Sequence, residues 1–137
     1  MSVWTASLKY LAIPKKELHP PAIQKVLAVE VNRLGDVISA VPALRALRAH
    51  FPHAEIWFLV RSAFVPLFKG ADFVDRVVGL SDSARIIPLL RMAARMRKER
   101  FDLLCSLSPI RRNTLLTLLG SSRYAVGYLS LGKKIPN

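Results

Sequence analysis

The sequence predicts an α/β domain whose parallel sheet carries helices on both faces. Three observations lead to this prediction. Short apolar runs rich in β-branched residues recur along the chain, segments with helical apolar spacing separate them, and Gly or Pro marks most of the junctions. Strands buried on both faces have continuous apolar runs of this kind. The alternation of strand and helix favours parallel pairing through right-handed crossovers.

The first β-α unit spans residues 25–51. An apolar run over 26–31 predicts a buried strand, a polar turn with Gly35 follows, and helical apolar spacing then continues to Pro52. We therefore predict one helix over 37–51. In parallel α/β sheets, ligands bind where the carboxyl end of a strand faces the N-terminus of a helix, so this turn is the first candidate for a binding site.

The rest of the chain repeats the pattern. In chain order we predict a strand over 55–60, a short helix over 63–68 that ends at Gly70, a strand within 73–80, a turn or helix cap over 81–83, a helix over 88–100, a strand over 101–107, a helix over 111–119 that ends at Gly120, and a strand over 124–128. In the helix predicted near 88–100, the side chains expected to face the core are Ile86, Leu89, Leu90, Ala93 and Met96. Together the elements define a Rossmann-like domain over residues 25–130, preceded by a leader over 1–24 and followed by a tail over 131–137.

Composition limits the class of protein. Of the 137 residues, 52% are hydrophobic and 22% are charged, which is typical of one globular domain and not of a disordered chain. No apolar run approaches the roughly 18 residues that a bilayer-spanning helix needs. Cys105, the single cysteine, lies in an apolar run, which predicts a buried thiol in a reducing compartment.

The net charge of +12 is the most unusual feature of the composition. It arises from 21 Lys and Arg against 9 Asp and Glu, and it predicts an anionic partner. The leader, with Trp4 and Tyr10 beside lysines, either packs loosely on the domain or contacts a membrane surface. The arginine-rich helix over 88–100 is either a solvated face or a contact for anionic headgroups. Nucleic acid is not favoured, because basic-aromatic interleaving and known docking motifs are absent from the sequence.

Asp36 has two interpretations that the residues alone leave open. It is either an N-cap or first-turn carboxylate that stabilises the helix by about 1 kcal/mol, or a general base that removes a proton from an acceptor hydroxyl. Gly35 beside it indicates a backbone that needs a positive φ or lies close to a ligand. Arg111 and Arg112 open a later helix, where two cations are unfavourable unless a phosphate lies between them and the helix amides.

The residues predict neither a cofactor nor a metal ion. A turn with one glycine is not the three-glycine dinucleotide fingerprint, so nicotinamide and flavin are not predicted. His19, His50 and His53 lack ligand spacing with cysteine or carboxylates, so we predict no metal site.

Several segments, taken together and in order, resemble a known family. They are the run over 26–31, Arg-Leu-Gly-Asp at 33–36, Val-Pro-Ala-Leu-Arg-Ala-Leu-Arg at 41–48, Phe-Pro-His-Ala-Glu-Ile at 51–56, Leu-Val-Arg at 59–61, Phe-Asp-Leu-Leu at 101–104 and Leu-Leu-Gly-Ser-Ser-Arg-Tyr-Ala-Val-Gly-Tyr at 118–128. This pattern resembles the N-terminal domain of glycosyltransferase family 9, the heptosyltransferases of lipopolysaccharide inner-core synthesis. The match covers roughly residues 25–130.

The resemblance implies both a fold and an activity. The family has the two-domain GT-B fold and transfers heptose from ADP-heptose, with inversion and without an essential metal, to a phosphorylated lipid-linked acceptor at the cytoplasmic membrane face. By this resemblance Asp36 matches the proposed catalytic base, and Arg112 matches a basic residue that follows an Asp-hydrophobic-Gln-Gly stretch. Arg33, Arg61, Arg111 and Arg112 are then the candidates to hold acceptor phosphates. The implied location is cytoplasmic, with peripheral contact at the cytoplasmic membrane face.

Two departures from the family pattern matter. Ser106, Leu107, Ser108 and Pro109 stand where the family often has Asp-Leu-Gln-Gly, which affects the expected acceptor contacts. The family's donor-binding domain would follow Asn137, so we expect this sequence alone to lack the sugar-nucleotide pocket and to be inactive without that half or a partner chain. The alternative is a non-catalytic module that binds an anionic partner, either a membrane surface or a nucleic acid.

Overall fold

The computed structural model describes residues 23–82 and 85–127. These residues form one five-stranded sheet in the order β3-β2-β1-β4-β5, in which every neighbouring pair is parallel. The strands are β1 (Lys25–Val29), β2 (Glu55–Arg61), β3 (Arg76–Leu80), β4 (Leu103–Ser106) and β5 (Tyr124–Val126). The predicted parallel α/β architecture is confirmed.

Four α-helices and one 3-10 helix connect the strands within the described ranges. They are α1 (Leu34–Ser39), α2 (Val41–His50), the 3-10 helix (Ser62–Phe68), α3 (Ile86–Glu99) and α4 (Arg111–Leu119). The prediction of a single helix over 37–51 is wrong, because α1 and α2 meet at Ala40. Pro42 lies in the first turn of α2 and has no amide hydrogen, so the hydrogen-bond ladder of α1 cannot continue through it.

Helices cover both faces of the sheet, as predicted. Successive residues of β1 face opposite sides: Val26 and Ala28 belong to the core under α1, α2 and the 3-10 helix, whereas Leu27 and Val29 belong to the core under α3 and α4. Ile23 is part of the first core, so the packed domain includes the end of the predicted leader. The remainder of the leader up to residue 22, and the tail over 131–137, lie outside the described residues.

The apolar face of α3 is narrower than predicted. Leu89, Ala93 and Met96 are buried against the sheet, in agreement with the prediction. Ile86 and Leu90 were predicted to join them but are 61% and 49% exposed. A helix that lies flat on a sheet buries one stripe of side chains, and these two residues lie on the flank of that stripe.

Other elements differ from the predictions mainly at their ends. β4 begins at Leu103 instead of 101, and Phe101, before the strand, packs edge-to-face against Trp57. β5 ends at Val126, and the predicted strand end at Tyr128 lies outside the described residues. The N-cap of α3 is Arg85, so Ser81 and Asp82 do not occupy that position, and Ser83 lies outside the described residues.

Two sequence predictions about single residues are confirmed. Gly70 follows the 3-10 helix with a left-handed φ of 83°. The Cys105 thiol is buried, and burial raises its pKa to about 12. None of the helices in the described ranges is both long and apolar enough to cross a bilayer.

Leu44→Ala tests the core under α2. Leu44 is 0% exposed, so its truncation loses transfer free energy and leaves a cavity. We expect the free energy of unfolding to fall by about 2–5 kcal/mol. Leu67→Ala is the matched control, because Leu67 is 60% exposed. Its effect should stay within about 0.5 kcal/mol. Urea denaturation measures both, and equal losses would contradict the packing described.

Candidate functional site

The carboxyl ends of the five strands lie along one edge of the sheet, because every strand pair is parallel. The chain builds β1, β2 and β3 toward one side and then β4 and β5 toward the other, so the strand order reverses between β1 and β4. Such a reversal opens the crevice in which α/β proteins bind ligands. The site residues predicted from the sequence all follow strand ends at this edge: Arg33, Gly35 and Asp36 follow β1, Arg61 ends β2, and Arg111 and Arg112 follow β4.

Asp36 is the third residue of α1, and its side chain is exposed. The N-cap residue is Arg33, whose backbone is extended and whose side chain makes no capping hydrogen bond. The N-cap interpretation of Asp36 is therefore wrong, and that of a first-turn carboxylate is confirmed. Within the described part of the chain, the Asp36 carboxylate accepts no hydrogen bond. It faces solvent at the switch point of the sheet, where a ligand hydroxyl could reach it.

Gly35 does not have the positive φ that the sequence suggested. In the described ranges Gly70 is the only glycine with such a φ, and Gly35 lies within the regular α1 helix. A Cβ atom built at Gly35 would meet no atom within 4 Å. Neither backbone conformation nor packing therefore requires glycine here, and the close approach of a ligand remains the prediction.

The predicted arginines lie in different surroundings. Arg33 and Arg111 are exposed at the N-termini of α1 and α4. Arg61 Nε lies 2.5 Å from Asp82 Oδ1, so a carboxylate that follows β3 already balances its charge. The structure brings these arginines to one edge of the sheet without gathering them into one cluster.

Arg112 lies in a small pocket between the N-termini of α3 and α4. Arg85 lines the same pocket with Ser81 and Pro88. Arg85 was not predicted as a site residue, because it falls between the predicted elements. Two guanidinium groups at two helix N-termini favour an anionic group in this pocket. The pocket lies on the α3–α4 side of the sheet, whereas Asp36 belongs to α1 on the other side.

A buried polar cluster lies at the end of β1. Glu30 is 1% exposed, and Asn113 in the first turn of α4 is fully buried. Asn113 Oδ1 accepts a hydrogen bond from Val31 N at 3.0 Å, and Asn113 Nδ2 lies 3.0 Å from Val29 O and 3.3 Å from Glu30 Oε1. Ser108 Oγ donates to Glu30 Oε1 at 3.0 Å and accepts from Asn113 Nδ2 at 3.1 Å. This Glu30–Ser108–Asn113 cluster joins the β1–α1 turn to the β4–α4 turn.

The Glu30 carboxyl group is electrostatically unusual. Burial raises its pKa above the ordinary value, although the hydrogen bonds from Ser108 and Asn113 act in the opposite direction. The negative charge of Asp36 raises the pKa of Glu30 further, so the two acids share this part of the edge. One is buried and hydrogen-bonded, and the other is exposed. Carboxyl pairs in unlike surroundings are typical of sites that move protons.

Sequence reasoning missed this cluster. Glu30 stands inside an apolar run, and an acid within a buried run is the one signal that indicates it, since buried carboxyl groups need partners. Its partners Ser108 and Asn113 lie 78 and 83 positions away along the chain. No local pattern reports contacts over such a separation.

Metal-ligating side chains do not gather in the part of the chain that the structure describes. Over residues 23–82 and 85–127, no group of three His, Cys, Asp or Glu residues is placed to hold a metal ion. The chemistry that the edge supports with its own side chains is proton transfer at Asp36 and anion binding at the arginines.

Solved glycosyltransferases have the same fold. The glycosyl transferase family 9 from Veillonella parvula aligns with a TM-score of 0.70 and 19% sequence identity, over 82% of this chain and 37% of its own. E. coli ADP-heptose lps heptosyltransferase II aligns with a TM-score of 0.65 and 20% identity, over 76% of this chain and 30% of its own. E. coli heptosyltransferase WaaC with ADP aligns with a TM-score of 0.59 and 20% identity, over 76% of this chain and 35% of its own. This chain has the fold of family 9 glycosyltransferases.

The likeness is one of fold. No family model and no curated protein matches the sequence. The resemblance to glycosyltransferase family 9, and the Rossmann-like fold class that it implied, are confirmed by the structural neighbours. The chain spans about a third of the length of these structures: the alignments cover 37%, 30% and 35% of their chains.

Glu30→Gln tests the buried carboxyl. Because the folded state raises the pKa of Glu30 above 4.5, it holds this proton more tightly than the unfolded chain does. The stabilisation that this tighter proton binding provides is complete below the pKa of Glu30 in the unfolded chain. It is lost as the pH rises through the pKa of Glu30 in the folded state. Gln keeps an oxygen for Ser108 and Asn113 but never ionises. We therefore expect the free energy of unfolding, measured by urea denaturation, to fall less in the variant than in the wild type as the pH rises above 4.5.

Glu30→Ala is the matched control. It removes the acceptor as well as the charge, and it leaves the buried Asn113 amide and the part-buried Ser108 hydroxyl short of a partner. Because neither variant ionises at this position, we expect Glu30→Ala to be about 1–3 kcal/mol less stable than Glu30→Gln at every pH. Identical pH dependence of the wild type and Glu30→Gln would show that Glu30 does not titrate differently in the folded state.

Proposed function

We propose that this chain is the acceptor-side domain of an inverting glycosyltransferase, in which Asp36 is the general base. The observation that supports this proposal is the position of Asp36. Its exposed carboxylate accepts no hydrogen bond from the described residues, and it lies at the switch point of a sheet with the fold of family 9 glycosyltransferases. The matched structures are more than twice as long as this chain. We therefore assign the sugar nucleotide to a second half of the enzyme, or to a partner chain that supplies it.

The proposed reaction is a single displacement. The Asp36 carboxylate takes the proton of an acceptor hydroxyl, and the oxygen forms a bond to the anomeric carbon of the donor sugar. The bond between that carbon and the diphosphate breaks, and its electron pair leaves with the nucleoside diphosphate. Attack from the face opposite the leaving group inverts the anomeric configuration.

The substrates are proposed from the neighbours. Two of the matched structures are named as heptosyltransferases, one of them for ADP-heptose, and we propose ADP-heptose as the donor. A phosphorylated lipid-linked saccharide is the proposed acceptor. Arg33 and Arg111 are exposed cations at the same edge as Asp36, and they are the first candidates to hold its phosphates. Arg112 would add a contact from its pocket, whereas Arg61 would have to share its charge with Asp82. We place the reaction in the cytoplasm.

A non-catalytic module that binds an anionic partner is the second candidate. Ser106 and Ser108 favour it, because they replace the acid and amide of the resembled pattern. The two functions differ in what they require of Asp36. An anion-binding module gains nothing from a carboxylate at its binding edge, whereas a transferase requires one.

Asp36→Asn separates the two roles of this residue. Asp36 is neither an N-cap nor a hydrogen-bond acceptor within the described residues, so its stabilising effect is limited to a charge-dipole interaction of at most about 1 kcal/mol. An amide cannot take the hydroxyl proton at neutral pH, and a positioned base contributes about 100-fold or more. In the enzyme completed by its donor-binding half, we expect kcat to fall by at least that factor with little change in Tm. Transferase activity near the wild-type level would exclude Asp36 as the base.

Gly35→Ala tests the approach of the acceptor to this turn. Beyond its own stretch of helix, the new methyl group meets no atom of the described residues within 4 Å, so the folded protein should gain about 0.5–1 kcal/mol in stability. If the acceptor lies against the α1 backbone, the same methyl group occupies its place, and we expect the KM for the acceptor to rise. A stabilised variant with unchanged acceptor KM would show that the ligand does not contact Gly35.

A further inference from the structure

The outer surface of α3 and α4 carries large apolar side chains that remain exposed. In a monomeric domain, such residues usually occur singly, and a group of them marks a contact. The group on these two neighbouring helices consists of Ile86, Ile87, Leu90, Leu115 and Leu118, which are 61%, 56%, 49%, 37% and 56% exposed. We call this group, with the cations around it, the α3–α4 surface.

The two helices lie side by side, so these side chains form one strip. Near the C-terminal ends, Arg97 Nε donates a hydrogen bond to Leu119 O at 2.5 Å. Near the N-terminal ends, Arg112 of α4 lines a pocket with Ile86 of α3. Leu90 stands two turns before Arg97, so it lies on the same flank of α3, the one that faces α4. Leu90 therefore lies beside the boundary between the two helices, and Leu115 and Leu118 are exposed on the neighbouring helix α4.

The charge of this surface has one sign. Over residues 85–98 and 111–119 the sequence contains no Asp and no Glu. The same two segments hold several cations, which are Arg85, Arg91, Arg95, Arg97, Lys98, Arg111 and Arg112. The first acid after them in α3 is Glu99, and its carboxylate is already paired with Lys25 Nζ at 2.8 Å. The partner of this surface must therefore be anionic.

We propose that the α3–α4 surface docks on an anionic lipid membrane. Exposed Ile and Leu side chains enter the boundary between headgroups and acyl chains, and the surrounding Arg and Lys side chains meet the lipid phosphates. The combination favours lipid over nucleic acid, because a phosphodiester backbone binds the cations but offers no apolar phase to the leucines. This inference does not depend on the proposed glycosyl transfer.

Docking in this way has a geometric consequence. The N-termini of α3 and α4 lie at the carboxyl edge of the sheet, where Arg112 belongs both to the α3–α4 surface and to the candidate site. A membrane against these helices therefore lies beside that edge.

Vesicle flotation of the whole 137-residue chain tests the proposal. Vesicles of phosphatidylglycerol and phosphatidylethanolamine supply an anionic surface, and phosphatidylcholine vesicles supply a neutral one. We expect binding to the anionic vesicles that weakens as salt rises from about 0.1 M to about 0.5 M, because the charges are screened. Equal binding to neutral vesicles would overturn the proposal. So would complete displacement of the protein from the anionic vesicles by an equal phosphate concentration of duplex DNA.

Two matched pairs of variants locate the contact. Ile87→Ser with Leu90→Ser removes apolar side chains from the α3–α4 surface, and we expect the partition coefficient to fall by at least about tenfold. The control is Ile38→Ser with Leu67→Ser, since these residues are 57% and 60% exposed but belong to α1 and the 3-10 helix. We expect the control to stay within about twofold of the wild type. Equal losses in both pairs, or no loss in the α3 pair, would overturn the proposal.

A third comparison separates local charge from net charge. Arg91→Gln with Lys98→Gln and Lys69→Gln with Arg123→Gln each remove two exposed cations, but only the first pair belongs to α3. We expect the first pair to weaken binding to anionic vesicles several times more than the second. Equal effects would mean that the net charge, and not the α3–α4 surface, attracts the membrane.

Discussion

The burial of β1 on both faces is the constraint on which the rest of the structure depends. A strand covered on both sides needs helices on both sides, and the residues of β1 face α1 and α2 alternately with α3 and α4. At the end of β1, the backbone N–H and C=O groups beyond the sheet also need hydrogen-bond partners. Asn113 does so by accepting a hydrogen bond from Val31 N and donating one to Val29 O. The first turn of α4 thereby closes the end of the central strand.

This closure organises the candidate site. Val29 pairs with Ser106 across the ladder, and Glu30 follows Val29, so Glu30 stands beside the position at which the resembled pattern has an acid. A carboxyl group is thus present at this edge, but it comes from β1 and not from β4. The Glu30 carboxyl group is buried and its pKa is raised, whereas the Asp36 carboxylate faces solvent. The buried acid therefore organises the two turns, and the exposed one is left to meet a ligand.

The distribution of charge connects the site with the α3–α4 surface. Several carboxylates of the described residues are paired with a cation from another element, as Asp75 is with Arg48 and Asp82 is with Arg61. In the two helices of the α3–α4 surface, residues 85–98 and 111–119 include cations but no acid, so the excess positive charge of the described residues is concentrated on one side of the domain. Because this side adjoins the carboxyl edge of the sheet, its positive field extends to the candidate site.

The sequence by itself determined the order of strands and helices along the chain. It also determined that Asp36 and the arginines lie at the carboxyl edge of the sheet. Apolar periodicity acts over a few neighbouring residues, and parallel strands necessarily place their carboxyl ends together. Tertiary structure decided the rest. Leu90 follows the apolar period of α3 yet stays exposed, because the sheet covers only one stripe of that helix. Glu30 acquires its partners Ser108 and Asn113 only when β1 pairs with β4, since hydrogen bonds between groups 78 and 83 positions apart have no local signature in the chain.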